Sequence, residues 1–156
     1  MFLVNDTIEN RRRKILSFIE SGESVIAVIL AAANFEWTVR RVIIGLGTST
    51  NDKFKGDAGL FRKVSGLDGY KRLWKSEIPS ARLAELIQNW KYFKEDAFPL
   101  RHRLVHGVTG TTGVDYAKKR VLSMLDASEA LVVFAKSNGI DIFKKLKVKK
   151  GSDKSL

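Results

Sequence analysis

The stretch ESVIAVILAAANFEWTVRRVII, residues 23–44, contains no glycine or proline and is apolar around most of its first half. A helix that is apolar on nearly all sides is normally buried on several sides. We therefore predict that this stretch forms the central helix of the fold. Its longest uninterrupted apolar run, residues 25–33, has nine residues, whereas a membrane-spanning helix needs ~20. The sequence thus predicts a core helix and no membrane partner.

Helix-breaking residues are sparse in the rest of the chain. Prolines occur only at positions 79 and 99, and most glycines fall at 45–47, 56–69 and 107–113. The stretches between these breakers predict several further helices. They lie at about residues 6–21, at 67–75, after Ser80, from Pro99 to Gly107, and at 114–138. The predicted fold class is all-α, a single-domain bundle of about five helices.

The ends of two predicted helices carry recognisable signals. Ser80 is a residue type that caps helix N-termini, and Gly139 one that follows helix C-termini. Pro99 suits a first helical turn, because it has no amide proton to leave unsatisfied. It is predicted to start a new helix or a kinked continuation of the one before. The helix after Ser80 is expected to carry the apolar residues Leu83, Leu86, Ile87 and Trp90.

Two segments have less regular patterns. Residues 45–69 form a long connection in which one helical turn is predicted near residues 60–64. Residues 140–143 predict either a short strand or an extended segment that packs back on the body. We place the domain at residues 1–143 and a basic tail at residues 144–156, for which a solvated terminus is favoured over a nucleic-acid-binding arm.

The chain is strongly basic and contains no cysteine. Lys and Arg number 28 against 17 Asp and Glu, a net charge of +11. Such a charge attracts polyanions, of which nucleic acid is the commonest partner, ahead of a membrane surface; solubility alone is the alternative. Without cysteine and with only two histidines, a metal site is not expected, and no cofactor is predicted. The first residues lack the features of a signal peptide, so we expect a cytoplasmic protein.

Both histidines of the chain lie in residues 101–107, RHRLVHG. Histidine gains or loses a proton near neutral pH, and arginine is a permanent, planar donor to oxyanions. On a helix His102, Arg103 and His106 share one face. Arg101 lies about 140° from His106 on a straight helix, so their convergence requires an irregular first turn or a facing second copy. The alternative is a pair of solvated histidines on a helix surface.

This run resembles the signature of HEPN domains, in which four positions separate an arginine from a histidine, the first is polar, and glycine often follows. The surroundings are also similar: an all-helical domain of about this size, the motif just before the last long helix, and an acidic residue in a central helix, here Glu36. The resemblance covers about residues 6–138. It implies a homodimeric, metal-independent endoribonuclease whose two motifs face each other across a cleft.

The resemblance also implies roles for individual side chains. When a ribose 2′-hydroxyl attacks its own phosphate, one proton is removed, another is donated, and charge on phosphate must be stabilised. His106 is the candidate for proton transfer and Arg101 the candidate phosphate donor, while His102 orients phosphate or shares the proton transfer. Glu36 is expected to hold Arg101 by a bidentate ion pair. Its alternative partner is Arg40, four residues later on the same helix.

Three further arginines, Arg40, Arg41 and Arg103, are candidate nucleic-acid contacts, the alternative being ordinary solvated side chains. Stand-alone members of the family often serve as toxins, stress effectors or anti-phage nucleases, which adds RNA and an antitoxin or inhibitor protein as predicted partners.

Two other functions remain open. One is a non-catalytic HEPN module that dimerises and binds nucleic acid, a nucleotide or a protein. The other is a helical adaptor whose charge serves solubility.

Overall fold

The computed structural model describes residues 6–55, 58–107 and 112–149, and these residues contain helices and connections without a β-strand. The all-α fold and the single compact domain are therefore confirmed. The α-helices are α1 (Ile8–Glu20), α2 (Ser24–Leu46), α3 (Gly66–Glu77), α4 (Leu83–Leu86), α5 (Trp90–Tyr92), α6 (Pro99–Val105) and α7 (Val114–Ser137). Two 3₁₀ turns, Asn51–Phe54 and Leu60–Lys63, lie in the long connection, and a π-helical turn, Phe93–Ala97, lies between α5 and α6.

Helix α2 is the centre of the bundle, as its sequence predicts. It packs against α1, α3, α6 and α7, with α7 as its main partner. Fully buried alanines, Ala27 and Ala31 among them, alternate along α2 with larger core residues such as Phe35 and Val39. Small side chains allow neighbouring helices to approach closely, while the larger ones fill the space between them. No helix in the described ranges is long and apolar enough to cross a membrane.

Helix α7 ends just before Gly139, as the sequence predicts. This glycine has φ +82°, a left-handed conformation. The N–H of Ile140 donates to the carbonyl of Ala135 at 3.0 Å, and the N–H of Gly139 donates to the carbonyl of Lys136. These bonds pair carbonyls that the helix end would otherwise leave without partners. The chain thereby turns back toward the body.

The prediction of one helix from Ser80 to Trp90 is wrong in the length of that helix. The structure has a single turn, α4, with Arg82 at its N-cap, and Ser80 is exposed. Asn89 then adopts φ 54°, ψ 53° and separates α4 from α5, so Trp90 belongs to the next helix. Asparagine adopts this conformation more readily than most residues. The break keeps Leu83 and Ile87 in the core, where their exposed fractions are 1% and 3%.

From α5 to α6 the chain is one continuous helix that contains a π turn. The N–H of Phe98 donates to the carbonyl of Phe93, five residues back, at 3.0 Å. Pro99, the next residue, has no N–H and its ring would crowd the carbonyl four residues earlier. The π turn widens the helix just before this proline, so Pro99 begins α6 as a continuation of the preceding helix. Such turns occur frequently at functional sites.

Residues 140–143 pack back on the body without forming a strand. Ile142 is fully buried. Arg41 of α2 donates from Nε and Nη2 to the carbonyl of Ile142 at 2.9 and 2.7 Å, and from Nη2 to that of Lys144 at 2.6 Å. Of the two alternatives from the sequence, the structure shows the packed, non-strand segment.

Contacts with the body continue past the domain boundary placed at residue 143. The N–H of Lys149 donates to Oδ1 of Asn51 at 2.9 Å, and the N–H of Asn51 donates to the carbonyl of Lys149 at 3.1 Å. The Lys149 ammonium donates to the carbonyl of Gly47, just after α2. Residues 144–149 therefore belong to the folded domain. Residues 150–156 of the predicted tail lie outside the described residues.

A buried carboxylate anchors the connection that follows α2. Glu77, 3% exposed, accepts hydrogen bonds at Oε2 from the Thr48 hydroxyl at 3.0 Å and from the Ser49 N–H at 2.9 Å. Burial raises the pKa of Glu77, but these hydrogen bonds outweigh it and hold the pKa below its usual value of 4.5. The ionised form therefore stabilises the fold above that pH.

We expect Glu77→Gln to lower the free energy of unfolding by about 1–2 kcal/mol at about pH 7. Because the folded-state pKa is lowered, the contribution of the carboxylate is lost as the pH falls through that pKa, and the difference between wild type and variant shrinks. Urea unfolding over a pH series measures this. Glu85→Gln, at a carboxylate whose side chain is 70% exposed, is the matched control. A difference that stays constant with pH would contradict the assignment.

Candidate active site

A cleft of about 400 Å³ lies between the middle of α2, the first turn of α3, the π turn and α6. Its lining includes the four residues predicted as catalytic, which are Glu36, Arg101, His102 and His106. Residues far apart in sequence are brought together here because α6 packs against α2. Leu100, on the other side of α6, is 2% exposed and anchors this helix to the core.

The face of α6 that borders the cleft is broad. Arg101, His102, Val105 and His106 occupy relative positions i, i+1, i+4 and i+5, which cover about 140° of a helix. Arg101 and His106 lie at the two ends of this face, and both line the cleft in one chain. Helix α6 begins as a regular α-helix at Pro99, so the structure does not show the irregular first turn that was one of the two conditions for this pair to converge. The other condition, a facing second copy, stays a prediction.

The motif ends the helix as predicted. His106 is the C-cap residue, with φ −93° and ψ 11°, and Gly107 follows with φ +70°. A positive φ is a conformation that glycine adopts without steric cost. The imidazole of His106 is therefore at the end of α6, on an exposed residue at the mouth of the cleft.

Arg101 is held by Glu36 across the cleft wall. Its Nη1 donates to Oε1 of Glu36 at 3.0 Å, and the two side chains are 40% and 27% exposed. The predicted partner is therefore confirmed, but the pair has a single contact and not the bidentate geometry that was expected. The alternative partner, Arg40, instead donates from Nε to the Tyr70 hydroxyl at 2.6 Å. A guanidinium has five N–H donors in a rigid plane. The ion pair with Glu36 orients this plane while other donors of Arg101 can still contact an anion.

The two imidazoles lie side by side. The ring centroids of His102 and His106 are 4.2 Å apart, with 41° between the ring planes. The backbone N–H of His106 donates to the carbonyl of His102 at 3.0 Å, which fixes the spacing of the two residues. Both residues are exposed. Two imidazoles thus lie next to each other in the cleft lining and are accessible to a ligand.

The three arginines predicted as nucleic-acid contacts lie outside the cleft lining. Arg103 is half-buried and donates to the Asp96 carbonyl at 3.5 Å. Arg40 is exposed beside the site, where Tyr70 accepts its hydrogen bond. Arg41 binds the carbonyls of the C-terminal segment, so it acts in folding at that position.

Tyr70 is a buried residue near Glu36 and Arg101. It is 2% exposed, and burial raises its pKa while the hydrogen bond from Arg40 acts in the opposite direction. The charges of Glu36 and Arg101 also act on its hydroxyl. The Arg40–Tyr70 pair thus lies close enough to the Arg101–Glu36 pair for their charges to interact.

Two charged residues of the cleft are missing from the sequence prediction. Lys94, on the π turn, and Asp68, in the first turn of α3, both line it, and their Nζ and Oδ1 atoms are 3.6 Å apart. Lys94 precedes Arg101 by seven residues, about two helical turns, and this spacing is a signal that the sequence does contain. Asp68 comes from a separate helix, so no local pattern connects it to the motif.

Comparison of the chain with protein-family models, with curated proteins and with solved structures found no match. The protein is therefore described by its own fold and site. It is a single-domain, all-α protein in which an arginine, a carboxylate and two histidines line one open cleft. Among residues 6–55, 58–107 and 112–149, no three His, Asp or Glu side chains are grouped as metal ligands would be.

Proposed function

We propose that this protein is a metal-independent endoribonuclease of the HEPN type that cleaves RNA by transesterification at the ribose 2′-hydroxyl. The observation that carries the proposal is that Arg101, His102, His106 and Glu36 border one cleft. The cleft volume of about 400 Å³ lies in the range of small-ligand sites, and it is open to solvent at the two histidines.

The proposed reaction needs two proton transfers, and the paired imidazoles supply both. A neutral His106 takes the proton of the 2′-hydroxyl as the 2′-oxygen attacks phosphorus. The bond from phosphorus to the 5′-oxygen breaks, and a protonated His102 gives its proton to the departing oxygen. The products are a 2′,3′-cyclic phosphate and a free 5′-hydroxyl. Each imidazole ends with the charge that the other had at the start.

Arg101 acts on the phosphate in this proposal. Negative charge accumulates on the non-bridging oxygens as the 2′-oxygen adds, and preorganised donors stabilise it most effectively. Glu36 holds the Arg101 guanidinium at 3.0 Å, so the orientation of the donors is set before RNA binds. Glu36 is a positioning residue, since it acts through Arg101.

The proposal includes a cytoplasmic homodimer with RNA and an antitoxin or inhibitor protein as partners. Val105 supports the dimer, because it lies in the cleft lining and is 54% exposed. A second copy that faced the first across this cleft would cover its side chain. The net charge of +11 supports RNA as the polyanion.

We expect Val105→Glu to convert the dimer to a monomer, because a charge would replace an apolar contact at the interface. Light scattering should give wild type a mass near twice 17.5 kDa and the variant half of that value. Val133→Glu, at a valine of α7 that is 58% exposed, is the matched control and should remain dimeric. A monomeric wild type would contradict this part of the proposal.

The direct test is incubation of the purified protein with structured and unstructured RNA in EDTA, beside His106→Ala and Arg101→Ala. Cleavage that requires both side chains supports the proposal. Equal cleavage by wild type and both variants overturns it. Salt-sensitive RNA binding without cleavage would instead indicate the non-catalytic module, and no RNA affinity at ~150 mM salt would indicate an adaptor.

A further inference from the structure

The cleft contains a cation that the proposed reaction does not use. Lys94 lines the cleft from the π turn, and its ammonium is 3.6 Å from the Asp68 carboxylate on the facing helix. Arg101, the other cation of the lining, is already assigned to the scissile phosphate. Lys94 is thus a lysine of the same cleft lining that has no role in that reaction.

The Lys94–Asp68 pair is a weak one. The two side chains are 43% and 65% exposed, and ion pairs between exposed side chains contribute little to stability because water screens them and long side chains lose entropy. An incoming phosphate can replace Asp68 as the partner of Lys94 at small cost. The Arg101–Glu36 contact, by comparison, is shorter and its carboxylate is 27% exposed.

The placement of the two cations favours two phosphates over one. The Arg101 guanidinium contacts Glu36 of α2 at 3.0 Å, whereas the Lys94 ammonium lies 3.6 Å from Asp68 of α3. The two charges are thus held at carboxylates of different helices, and seven residues, a rise of roughly 10 Å along a helix, separate the residues that carry them. A flexible lysine placed apart from Arg101 in this way is suited to the phosphate of the adjoining nucleotide.

We propose that Lys94 binds the phosphate next to the scissile one, and that Asp68 is the counter-ion which RNA displaces. This inference rests on the proposed function and narrows its substrate to RNA with at least two consecutive phosphodiesters. Lys94 is a substrate-binding residue, and Asp68 opposes binding through its charge. Removal of the Lys94 charge should therefore weaken RNA binding, and removal of the Asp68 charge should strengthen it.

The test compares a ribodinucleotide, which has one phosphodiester, with the two trinucleotides that extend it by one nucleotide at either end. Wild type should cleave one of the trinucleotides with a kcat/KM about tenfold above that of the dinucleotide, as expected for one added charge-assisted contact. Lys94→Gln should abolish this advantage through KM, so that the variant cleaves the trinucleotide and the dinucleotide with equal kcat/KM. Lys94→Arg should retain it, and Asp68→Asn should lower KM for the trinucleotide.

Lys91→Gln is the matched control, since Lys91 is an exposed lysine of α5 outside the cleft lining. It should behave as wild type. The inference is overturned if the trinucleotide advantage persists in Lys94→Gln. It is also overturned if Asp68→Asn weakens binding as Lys94→Gln does, because that pattern is the one a purely structural ion pair would give.

Failure of the proposed function has a different signature. If wild type cleaves none of these substrates, or His106→Ala cleaves them as fast as wild type, the assignment of catalysis fails. Binding of the non-cleavable 2′-deoxy dinucleotide and trinucleotides, measured by fluorescence polarisation, then tests Lys94 separately. Preference for a trinucleotide that Lys94→Gln removes would support the phosphate contact, and equal binding of all three would overturn it.

Discussion

His106→Ala is expected to lower the rate of RNA cleavage by about 10²–10⁴-fold, the range that loss of a general acid or base produces. The imidazole lies at the mouth of the cleft on an exposed residue, so its removal leaves no buried cavity. We expect the effect to fall on kcat, because the side chain acts on a proton that moves only in the reaction. Single-turnover cleavage in EDTA, with RNA affinity measured separately, distinguishes an effect on the chemical step from an effect on RNA binding.

The neighbouring imidazole makes this prediction more specific. The rings of His102 and His106 are 4.2 Å apart, so we expect the two side chains to act on one substrate as a unit. Residues that act together have strongly non-additive effects on rate. The double variant His102→Ala/His106→Ala should therefore be little slower than the slower single variant. Rate losses that multiply in the double variant would show that the histidines act independently.

Gln88→Ala, at an exposed residue outside the cleft lining, is the control for handling and folding. Circular dichroism should show equal helix content in all of these variants. A His106→Ala protein that retains wild-type cleavage, with an intact fold, would remove His106 from the mechanism and leave its prediction from the motif unsupported.

The helices were predictable wherever local signals control the backbone. Gly139 ends α7 as its sequence position indicates, and α2 is central because it is apolar on nearly all sides. The break at Asn89 was not predictable in this way, since asparagine is tolerated both in helices and in left-handed positions. There the burial of Leu83 and Ile87 decided the backbone conformation.

The cleft was predictable in part. The motif supplied Arg101, His102 and His106 from one short stretch, and the family resemblance supplied Glu36. The sequence gives no sign of the π turn, because the hydrogen bond from Phe98 to Phe93 depends on how Pro99 is accommodated. Asp68 lies on α3, and its position opposite Lys94 is a consequence of packing between helices. Contacts between residues on separate helices leave no periodic pattern in the local sequence, so they could not be predicted from it.

Arg101→Ala is expected to lower cleavage by about 10²–10³-fold, the loss measured when one preorganised donor to a developing oxyanion is removed. Arg101→Lys should restore only a small part of this activity. An ammonium is a point charge with a different geometry, and it cannot hold Glu36 and a phosphate at once with a planar array of donors. The contact with Glu36 at 3.0 Å is thus the reason that we expect lysine to be a poor replacement for Arg101.

Glu36→Gln separates positioning from charge at this site. The amide can still accept a hydrogen bond from Arg101 but lacks the charge that fixes the guanidinium, so we expect a loss of about tenfold, smaller than for Arg101→Ala. In the proposed mechanism Glu36 acts only through Arg101, and therefore Glu36→Gln should have no further effect in an Arg101→Ala background. Arg103→Ala, at an arginine of the same helix outside the cleft lining, is the matched control. Equal losses from Arg103→Ala and Arg101→Ala would show that α6 supplies only general positive charge, because the two side chains would then be interchangeable despite their different positions.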